Sequence, residues 1–143
     1  MKSTSQQMTR PDIKTYYIQM AKLAATRAGC PKRQVGAIIT DINNRVLSIG
    51  YNSPPRKLPT CQEVPCGGEA GSVCIAAHAE ISAIAVCADI RQAHNIYVSC
   101  SPCLSCTQAI MATSIQNLYF GEFHKTWPIS RTVWTGNWEL VQC

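Results

Sequence analysis

The chain lacks several features that would place it in a large class of proteins. It has no apolar run long enough to span a bilayer, no internal repeat and no linker. Its first residues, MKSTSQQMTRPDIK, are polar and show no secretory signal. We therefore expect a cytoplasmic protein that forms a single domain over residues 1–143.

Charge is also sparse and widely scattered. Charged residues make up 15% of the sequence and hydrophobic residues 46%, and the formal net charge is +5. This balance is typical of a folded globular domain rather than a disordered chain. Lys and Arg cluster only briefly, at Lys32-Arg33 and Arg56-Lys57, and form no dense basic stripe of the kind that duplex binding needs. We therefore disfavour membranes and nucleic acids as partners, and expect a solvated surface or a site for a small anion such as a nucleotide phosphate.

Cysteine, by contrast, is abundant. The chain has nine cysteines, an odd number that fits a disulfide framework poorly. In a reducing compartment such thiols stay unpaired. Metal ligation, catalysis and burial as small hydrophobic side chains are the uses that are left.

The order of the elements predicts an α/β fold. A helix is predicted over 11–29, followed by two short β-rich runs at 35–40 and 45–51 that indicate a hairpin. Then come a helix over 77–88, a strand over 95–100, a helix over 101–114, and strands over 117–123 and 138–142. This order predicts three αβα layers around a mixed sheet of about five strands, with parallel pairs and an antiparallel edge. In the first helix, the residues at helical spacing that are predicted to face the core are Ile13, Tyr16, Tyr17, Met20, Leu23 and Ala24.

Two short motifs carry the chemistry. His78 and Glu80 are two positions apart, so they do not share a helix face and are predicted to act differently. Cys103 and Cys106 open a predicted helix, where the helix dipole favours the metal-binding thiolate. With His78 they supply three of the four ligands of a tetrahedral zinc, which leaves one position for water, as in catalytic sites. Zinc lowers the pKa of bound water to roughly 7, and Glu80 is predicted to move the proton without being a ligand.

Both motifs, His78-Ala79-Glu80 and Pro102-Cys103-Leu104-Ser105-Cys106, match the signature of the zinc deaminases. The sequence resembles the cytidine deaminase superfamily, and more closely the deoxycytidylate (dCMP) deaminases, from about Cys30 to Phe120. The resemblance includes CPKRQVGAII, GYNSPP, HAEISAI and IYVSCSPCLSCTQAI. The tRNA adenosine deaminases share the zinc motifs but generally lack a Cys-rich insertion like the one at 53–76.

The resemblance implies the reaction and the roles of several residues. The reaction is hydrolytic deamination of dCMP to dUMP and ammonia, which supplies dUMP for thymidylate synthesis. Attack is at C4 of cytosine, and Glu80 protonates N3. The backbone amide of Ala79 holds the pyrimidine O2, and the carbonyl of Ser101 accepts a hydrogen bond from the exocyclic amine. Asn52 binds the deoxyribose.

The phosphate ligand and the regulation are less specified. The basic residues Arg33, Arg56 and Lys57 are all candidates for the phosphate, and the sequence does not choose between them. The resemblance also implies a homo-oligomer, such as a hexamer, with dCTP and dTTP as effectors and Mg²⁺ accompanying a nucleotide effector. Ser53 and Ser82 depart from the family's GYNG and HAExNA patterns.

Other functions stay open at this point. One alternative is a deaminase that acts on a modified cytosine nucleotide, a free nucleoside, or a base in tRNA or single-stranded nucleic acid. A further alternative is a non-catalytic zinc-binding module. Glu80 argues against the latter, because a structural zinc needs no carboxylate beside it.

The remaining cysteines suggest a second metal site. Cys61, Cys66 and Cys74 lie in the segment 52–76, which is rich in Pro, Gly and Cys, and Cys30 precedes the first strand. Long loops without periodicity are usually functional or held in place. Some dCMP deaminases carry a structural zinc with a cysteine at the Cys30 position, so our hypothesis is that these four cysteines bind a second, structural zinc. The alternative is that they are free thiols. Cys87 is expected in the core.

Overall fold

A computed structural model of the chain, which describes residues 9–61, 63 and 74–143, has a mixed sheet at its centre. The strands are β1 (Gly36–Thr40), β2 (Val46–Tyr51), β3 (Asn95–Val98), β4 (Asn117–Phe120) and β5 (Asn137–Leu140). The helices are α1 (Ile13–Ala25), α2 (Ala79–Val86), α3 (Leu104–Met111) and α4 (Trp127–Val133), with a 3₁₀ turn at Ile90–Gln92.

The sheet has five strands in the order β2-β1-β3-β4-β5. Strand β1 is antiparallel to both of its neighbours, whereas β3, β4 and β5 run parallel to one another. The predicted mixed sheet with a hairpin at one edge is confirmed. Because β2 and β3 both oppose β1, they run in the same direction and end at the same edge of the sheet.

Helices cover both faces of the sheet, so the predicted αβα layering is confirmed. On one face, Ile18 and Ala21 of α1 pack with Ile38 of β1 and Tyr97 of β3. On the other face, α2, α3 and α4 pack over the alternate strand positions. The buried residues of that larger core are Val35, Ala37, Ile39, Ala79, Ala83, Ala93, Ile96, Val98, Cys100, Ile110, Ile115, Leu118, Phe120, Trp127 and Trp134. Neighbouring strand residues thus face opposite helix layers.

The first helix differs in detail from its prediction. Asp12 caps it by accepting a hydrogen bond from the Thr15 N–H at 2.8 Å, and the helix ends at Ala25 rather than at Gly29. Tyr17 belongs to the buried side, but Ile13 is 43% exposed, Tyr16 is 47% exposed and Leu23 is 70% exposed. The core-facing stripe is therefore rotated, because the small side chain of Ala21 faces the sheet where the helix approaches it closely.

Glycine lets helices lie unusually close to the sheet. A Cβ on Gly50 of β2 would lie 2.4 Å from the carbonyl oxygen of Ala79 and 2.5 Å from the nitrogen of Ala83. A side chain there would push α2 away from the strand. Gly50 therefore fixes the position of the N-terminal turn of α2, which begins directly after His78.

A row of side-chain amides crosses the sheet where β3, β4 and β5 begin. This edge lies opposite the one at which β2 and β3 end. Asn95, Asn117 and Asn137 occupy matching first positions in the three parallel strands. Asn137 Nδ2 donates to Asn117 Oδ1 at 3.0 Å, and Asn117 Nδ2 donates to Asn95 Oδ1 at 2.8 Å. Asn95 Nδ2 in turn donates to Thr40 Oγ1 at 3.0 Å and to Asn44 Oδ1 at 3.2 Å. We call these three residues the amide ladder.

Asn44 closes the ladder from the turn between β1 and β2. It adopts a positive φ of 58°, which asparagine tolerates better than most residues. Its side-chain oxygen accepts a hydrogen bond from the Tyr97 hydroxyl at 2.6 Å, and its carbonyl accepts one from the Tyr17 hydroxyl. None of the described helices is both long and apolar enough to cross a membrane.

Candidate metal centre

Three potential metal ligands converge where α2 and α3 begin. His78 is the N-cap of α2, Cys103 is the N-cap of α3, and Cys106 lies in the first turn of α3. Their ligand atoms all lie within 4.8 Å of one another. His78 Nδ1 is 3.2 Å from the sulfur of Cys106 and 3.5 Å from that of Cys103. Within the described part of the chain, this is the only group of three or more metal-binding side chains.

The topology explains why these residues meet. Strands β2 and β3 end at the same edge of the sheet, and each is followed by a connection that leads into a helix. The helix after β3 begins later than predicted, because Ser101 and Pro102 belong to the loop and Cys103 caps the helix instead. The Ser101 hydroxyl accepts a hydrogen bond from the His124 N–H at 2.6 Å. The late start places Cys103 and Cys106 beside the beginning of α2.

The donor set fits zinc. Two sulfurs and one imidazole are the ligand types that zinc prefers, and three protein ligands are typical of its catalytic sites. Burial, together with the nearby Glu80 and Cys103, raises the pKa of the Cys106 thiol. A divalent cation would reverse this effect, because metal coordination deprotonates a thiol. The Ser105 oxygen lies 3.3 Å from the Cys103 sulfur and can donate a hydrogen bond to that thiolate.

Glu80 is buried beside the ligands without being one of them. It is 4% exposed, and its carboxyl group forms a hydrogen bond with the thiol of Cys106. Burial raises the pKa of Glu80, opposed by hydrogen bonds from its own backbone N–H and from Cys106 and by the charge of Arg33. A carboxyl group with a raised pKa can both accept and return a proton near neutral pH.

A cavity of about 180 Å³ opens beside this group. Val35, Asn52, Ala79 and Glu80 are buried and form its floor, whereas exposed residues such as Arg33 form its rim. Pockets for drug-sized ligands usually measure roughly 300–1,000 Å³. The described cavity is therefore of a size for one ring, with the rest of a larger ligand reaching the rim.

The structure brings two of the three predicted substrate residues to this cavity. Ala79 is the first residue of α2, so its N–H has no partner within the helix and is available to a ligand. Asn52 also lines the cavity, but its amide has a structural task. Its Oδ1 accepts from the Val35 N–H and its Nδ2 donates to the Arg33 carbonyl, both at 2.8 Å. Ser101 is 1% exposed and is not among the described lining residues.

The cysteines predicted to bind a second zinc do not form a complete site in the described residues. Cys30 and Cys74 line the cavity, but they and Cys61 do not form a group of three with adjacent ligand atoms there. Cys66 lies outside the described residues. The four-cysteine site stays a prediction. Cys87 is 8% exposed, so its predicted place in the core is confirmed.

The sequence did not reveal two polar neighbours of the site. Ser105 can support Cys103, and its place between the two cysteines of the motif is the signal that indicates this role. His124 follows β4, and burial lowers its pKa, with the charges of Arg33 and Lys125 adding to the effect. No sequence spacing connects His124 with Arg33, because the two regions meet only through the pairing of β1 with β3 and of β3 with β4.

Comparisons with known proteins agree with this geometry. A family model described as "Cytidine and deoxycytidylate deaminase zinc-binding region" matches residues 11–122. Deoxycytidylate deaminase of Mycobacterium phage D29 is 32% identical over 126 residues, which cover 79% of this chain and 97% of that protein. Deoxycytidylate deaminase of Schizosaccharomyces pombe is 33% identical over 121 residues, but these span 78% of this chain and only 37% of the yeast protein.

A solved structure supports the fold. The dCMP deaminase of cyanophage S-TIM5, in complex with dCMP and dUMP, aligns with a TM-score of 0.75. It is 21% identical, and the alignment covers 94% of this chain and 100% of the phage chain. The family model, the phage relative and the convergent His78, Cys103 and Cys106 lead to one conclusion. The chain belongs to the cytidine and deoxycytidylate deaminase family.

Proposed function

We propose that the chain is a zinc-dependent hydrolase that converts dCMP and water to dUMP and ammonia. The observation that carries this proposal is the buried carboxyl group of Glu80, which lies beside a three-ligand zinc set on the floor of a ring-sized cavity. The choice of substrate is supported by the 32% sequence identity with the phage deoxycytidylate deaminase, which extends over 97% of that protein. We also propose that residues 1–143 form a single deaminase domain.

In this reaction the chain's own residues bind the base and move protons. Zinc, when bound by His78, Cys103 and Cys106, supplies a Lewis acid that makes water nucleophilic at neutral pH. Glu80 accepts the proton of that water, delivers it to N3 of the base, and assists the departure of ammonia. The Ala79 N–H donates a hydrogen bond to the pyrimidine O2. Burial of the floor excludes bulk water, which strengthens these polar interactions.

Asn52 contributes in a different way from the sequence-based expectation. Its amide holds the backbone on either side of residue 34, so it shapes the cavity wall before any ligand binds. A remaining lone pair on its oxygen and its second amide hydrogen are free to meet a sugar hydroxyl. We propose that Asn52 fixes the wall and also contacts the deoxyribose.

A substrate panel tests the proposed function. The zinc-loaded protein is incubated with dCMP, CMP, deoxycytidine and a cytosine-bearing single strand, and the loss of cytosine absorbance is followed. We expect the highest kcat/KM for dCMP. Faster turnover of the nucleoside or of the strand would reassign the substrate class, and no turnover of any of the four would contradict the proposal. A cytosine nucleotide with a modified ring extends the panel to the remaining alternative.

We also propose that the chain forms a homo-oligomer in the cytoplasm. The thiols of Cys103 and Cys106 stay reduced in that compartment. Exposed apolar residues on the edge strand β2 and on α2 support assembly: Ile49 is 47% exposed and Val86 is 68% exposed. A hexamer, with dCTP and dTTP as effectors and Mg²⁺ bound to the effector, is the specific form that we propose. Light scattering gives the mass, and adding dCTP or dTTP to the assay tests regulation. A monomeric mass at assay concentration would contradict the assembly.

A further inference from the structure

The fold separates three basic residues that the sequence leaves equivalent. Arg33 lines the cavity that contains His78 and Glu80. Arg56 instead lines a different groove, on the outer side of α2. Lys57 lines neither of these two cavities in the described structure. Only Arg33 is therefore within reach of a ligand whose ring occupies the floor.

The backbone of Arg33 is fixed from inside the cavity. The Asn52 amide donates to the Arg33 carbonyl and accepts from the Val35 N–H, so it clamps the chain on both sides of Gln34. The side chain of Arg33 itself is exposed, and its charge acts on the thiol of Cys100, a buried residue just after β3. The Asn52 amide thus fixes the backbone from which the guanidinium group extends at the rim.

The charge around Arg33 favours an anion. The positive charges of Arg33 and Lys125 both act on His124, so the two cations lie near the same residue. The carboxylates near Cys100 are Glu122 and Glu80, and neither forms a salt bridge with Arg33. Within the described residues the only salt bridge joins Lys14 and Glu139, far along the chain from this rim. Among the described residues, the rim therefore carries a cation that forms no salt bridge with a carboxylate.

We propose that Arg33 binds the 5′-phosphate of the substrate and so makes the enzyme prefer a nucleotide to a nucleoside. This inference rests on the proposed function, because it assumes that the base occupies the floor beside Glu80. A phosphate on the same molecule then reaches toward the rim. A guanidinium group suits this position, since its planar donors form paired hydrogen bonds with phosphate oxygens.

Kinetics with matched variants test the assignment. For zinc-loaded wild type, Arg33→Gln and Arg56→Gln, kcat/KM is measured with dCMP and with deoxycytidine. Arg33→Gln should lower kcat/KM for dCMP roughly 10- to 100-fold, mainly through KM, because charged hydrogen bonds to the phosphate are lost. Its kcat/KM for deoxycytidine should stay within about twofold of wild type, because no phosphate is present. Arg33→Lys should recover only part of the loss, since an ammonium group cannot form the paired contact.

Arg56→Gln is the control, because it removes the same charge outside the cavity. It should leave kcat/KM unchanged for both dCMP and deoxycytidine. Equal losses for dCMP and deoxycytidine in Arg33→Gln, an equal effect of Arg56→Gln, or a wild type without nucleotide preference would each overturn the assignment. Calorimetric binding of dUMP and deoxyuridine keeps the two proposals separable. If no cytosine compound is turned over, the proposed function fails, yet loss of the dUMP preference in Arg33→Gln still supports the phosphate site. Retention of that preference overturns it.

Discussion

The two edges of the sheet both carry polar side chains, but they use them differently. At one edge, the amide ladder of Asn95, Asn117 and Asn137 forms a continuous row of hydrogen bonds in which each amide meets the next. At the other edge, Glu80 is buried beside the thiol of Cys106, and Arg33 forms no salt bridge with a carboxylate of the described residues.

This difference separates stability from function. Amides that are hydrogen-bonded to one another across neighbouring strands hold those strands in register. Burial raises the pKa of the Glu80 carboxyl group. Such a buried group lowers the stability of the fold unless a cation or a hydrogen-bonding partner lies beside it. The end of the sheet that carries His78, Cys103 and Cys106, which we call the metal edge, is where a cation and a substrate would bind. We therefore expect the largest mutational effects on activity there.

Removing one of the three predicted zinc ligands should abolish both zinc binding and activity at the metal edge. Cys106→Ala should lose zinc from this site and nearly all deaminase activity, because two remaining ligands hold the ion poorly. Zinc per chain, measured by mass spectrometry, should fall by about one. Cys87→Ala removes another buried sulfur, at the far end of α2, and should keep both zinc and activity. Full zinc content in Cys106→Ala would exclude Cys106 as a ligand.

Matched glycine substitutions compare the two edges directly. Gly50→Ala forces its Cβ against the backbone of α2, and it should destabilise the fold by about 1–3 kcal/mol. Because α2 begins directly after His78 and carries Glu80, activity per folded molecule should also fall, on the order of 100-fold for a shift of about 1 Å. Gly136→Ala creates a similar clash, 2.4 Å from the Gln116 carbonyl oxygen at the ladder edge. It should reduce stability and leave the kcat of the folded protein unchanged; equal kcat losses in both variants would remove the distinction.

The predicted second zinc would add a structural element to the functional edge. If Cys30, Cys61, Cys66 and Cys74 bind zinc, the purified protein should contain about two zinc ions per chain. Cys61→Ala should then lower the content to about one, with Cys87→Ala as the cysteine control. A wild-type content of about one zinc per chain would refute the second site.

Breaking the amide ladder should have the smallest effect on function. Asn117→Ala leaves the side-chain oxygen of Asn95 and the side-chain nitrogen of Asn137 without their ladder partner, and it should lower the free energy of unfolding by about 0.5–1.5 kcal/mol. Urea denaturation gives that value, and the deamination assay should show unchanged kcat. A large loss of kcat with an intact fold would mean that the two edges are coupled.

The sequence predicted the order of elements better than their faces and ends. Alternating apolar runs and helical periods gave the mixed sheet, because period and turn residues are local properties. The stripe of α1 was wrong at Ile13, Tyr16 and Leu23, since the approach of Ala21 to the sheet depends on Gly36 in strand β1. The start of α3 was wrong because Ser101 bonds to His124, a residue of another loop.

The convergence of His78, Cys103 and Cys106 was predictable because the two motifs contain their spacing and the helix starts. The clamp by Asn52 was not, since it joins residue 52 to backbone groups at 33 and 35. The difference between Arg33 and Arg56 likewise depends on which side of α2 each residue lies. Such relations require the folded chain.

The most direct test of the central claim uses one variant and two readings of the same sample. Glu80→Gln preserves the shape of the side chain but cannot accept the proton, so its zinc content should match that of the wild type. Its kcat for dCMP should fall roughly 10²- to 10⁴-fold, the usual contribution of general acid–base catalysis. Full zinc content with near wild-type turnover would contradict the role assigned to Glu80, and loss of zinc would show that Glu80 serves the metal rather than the proton.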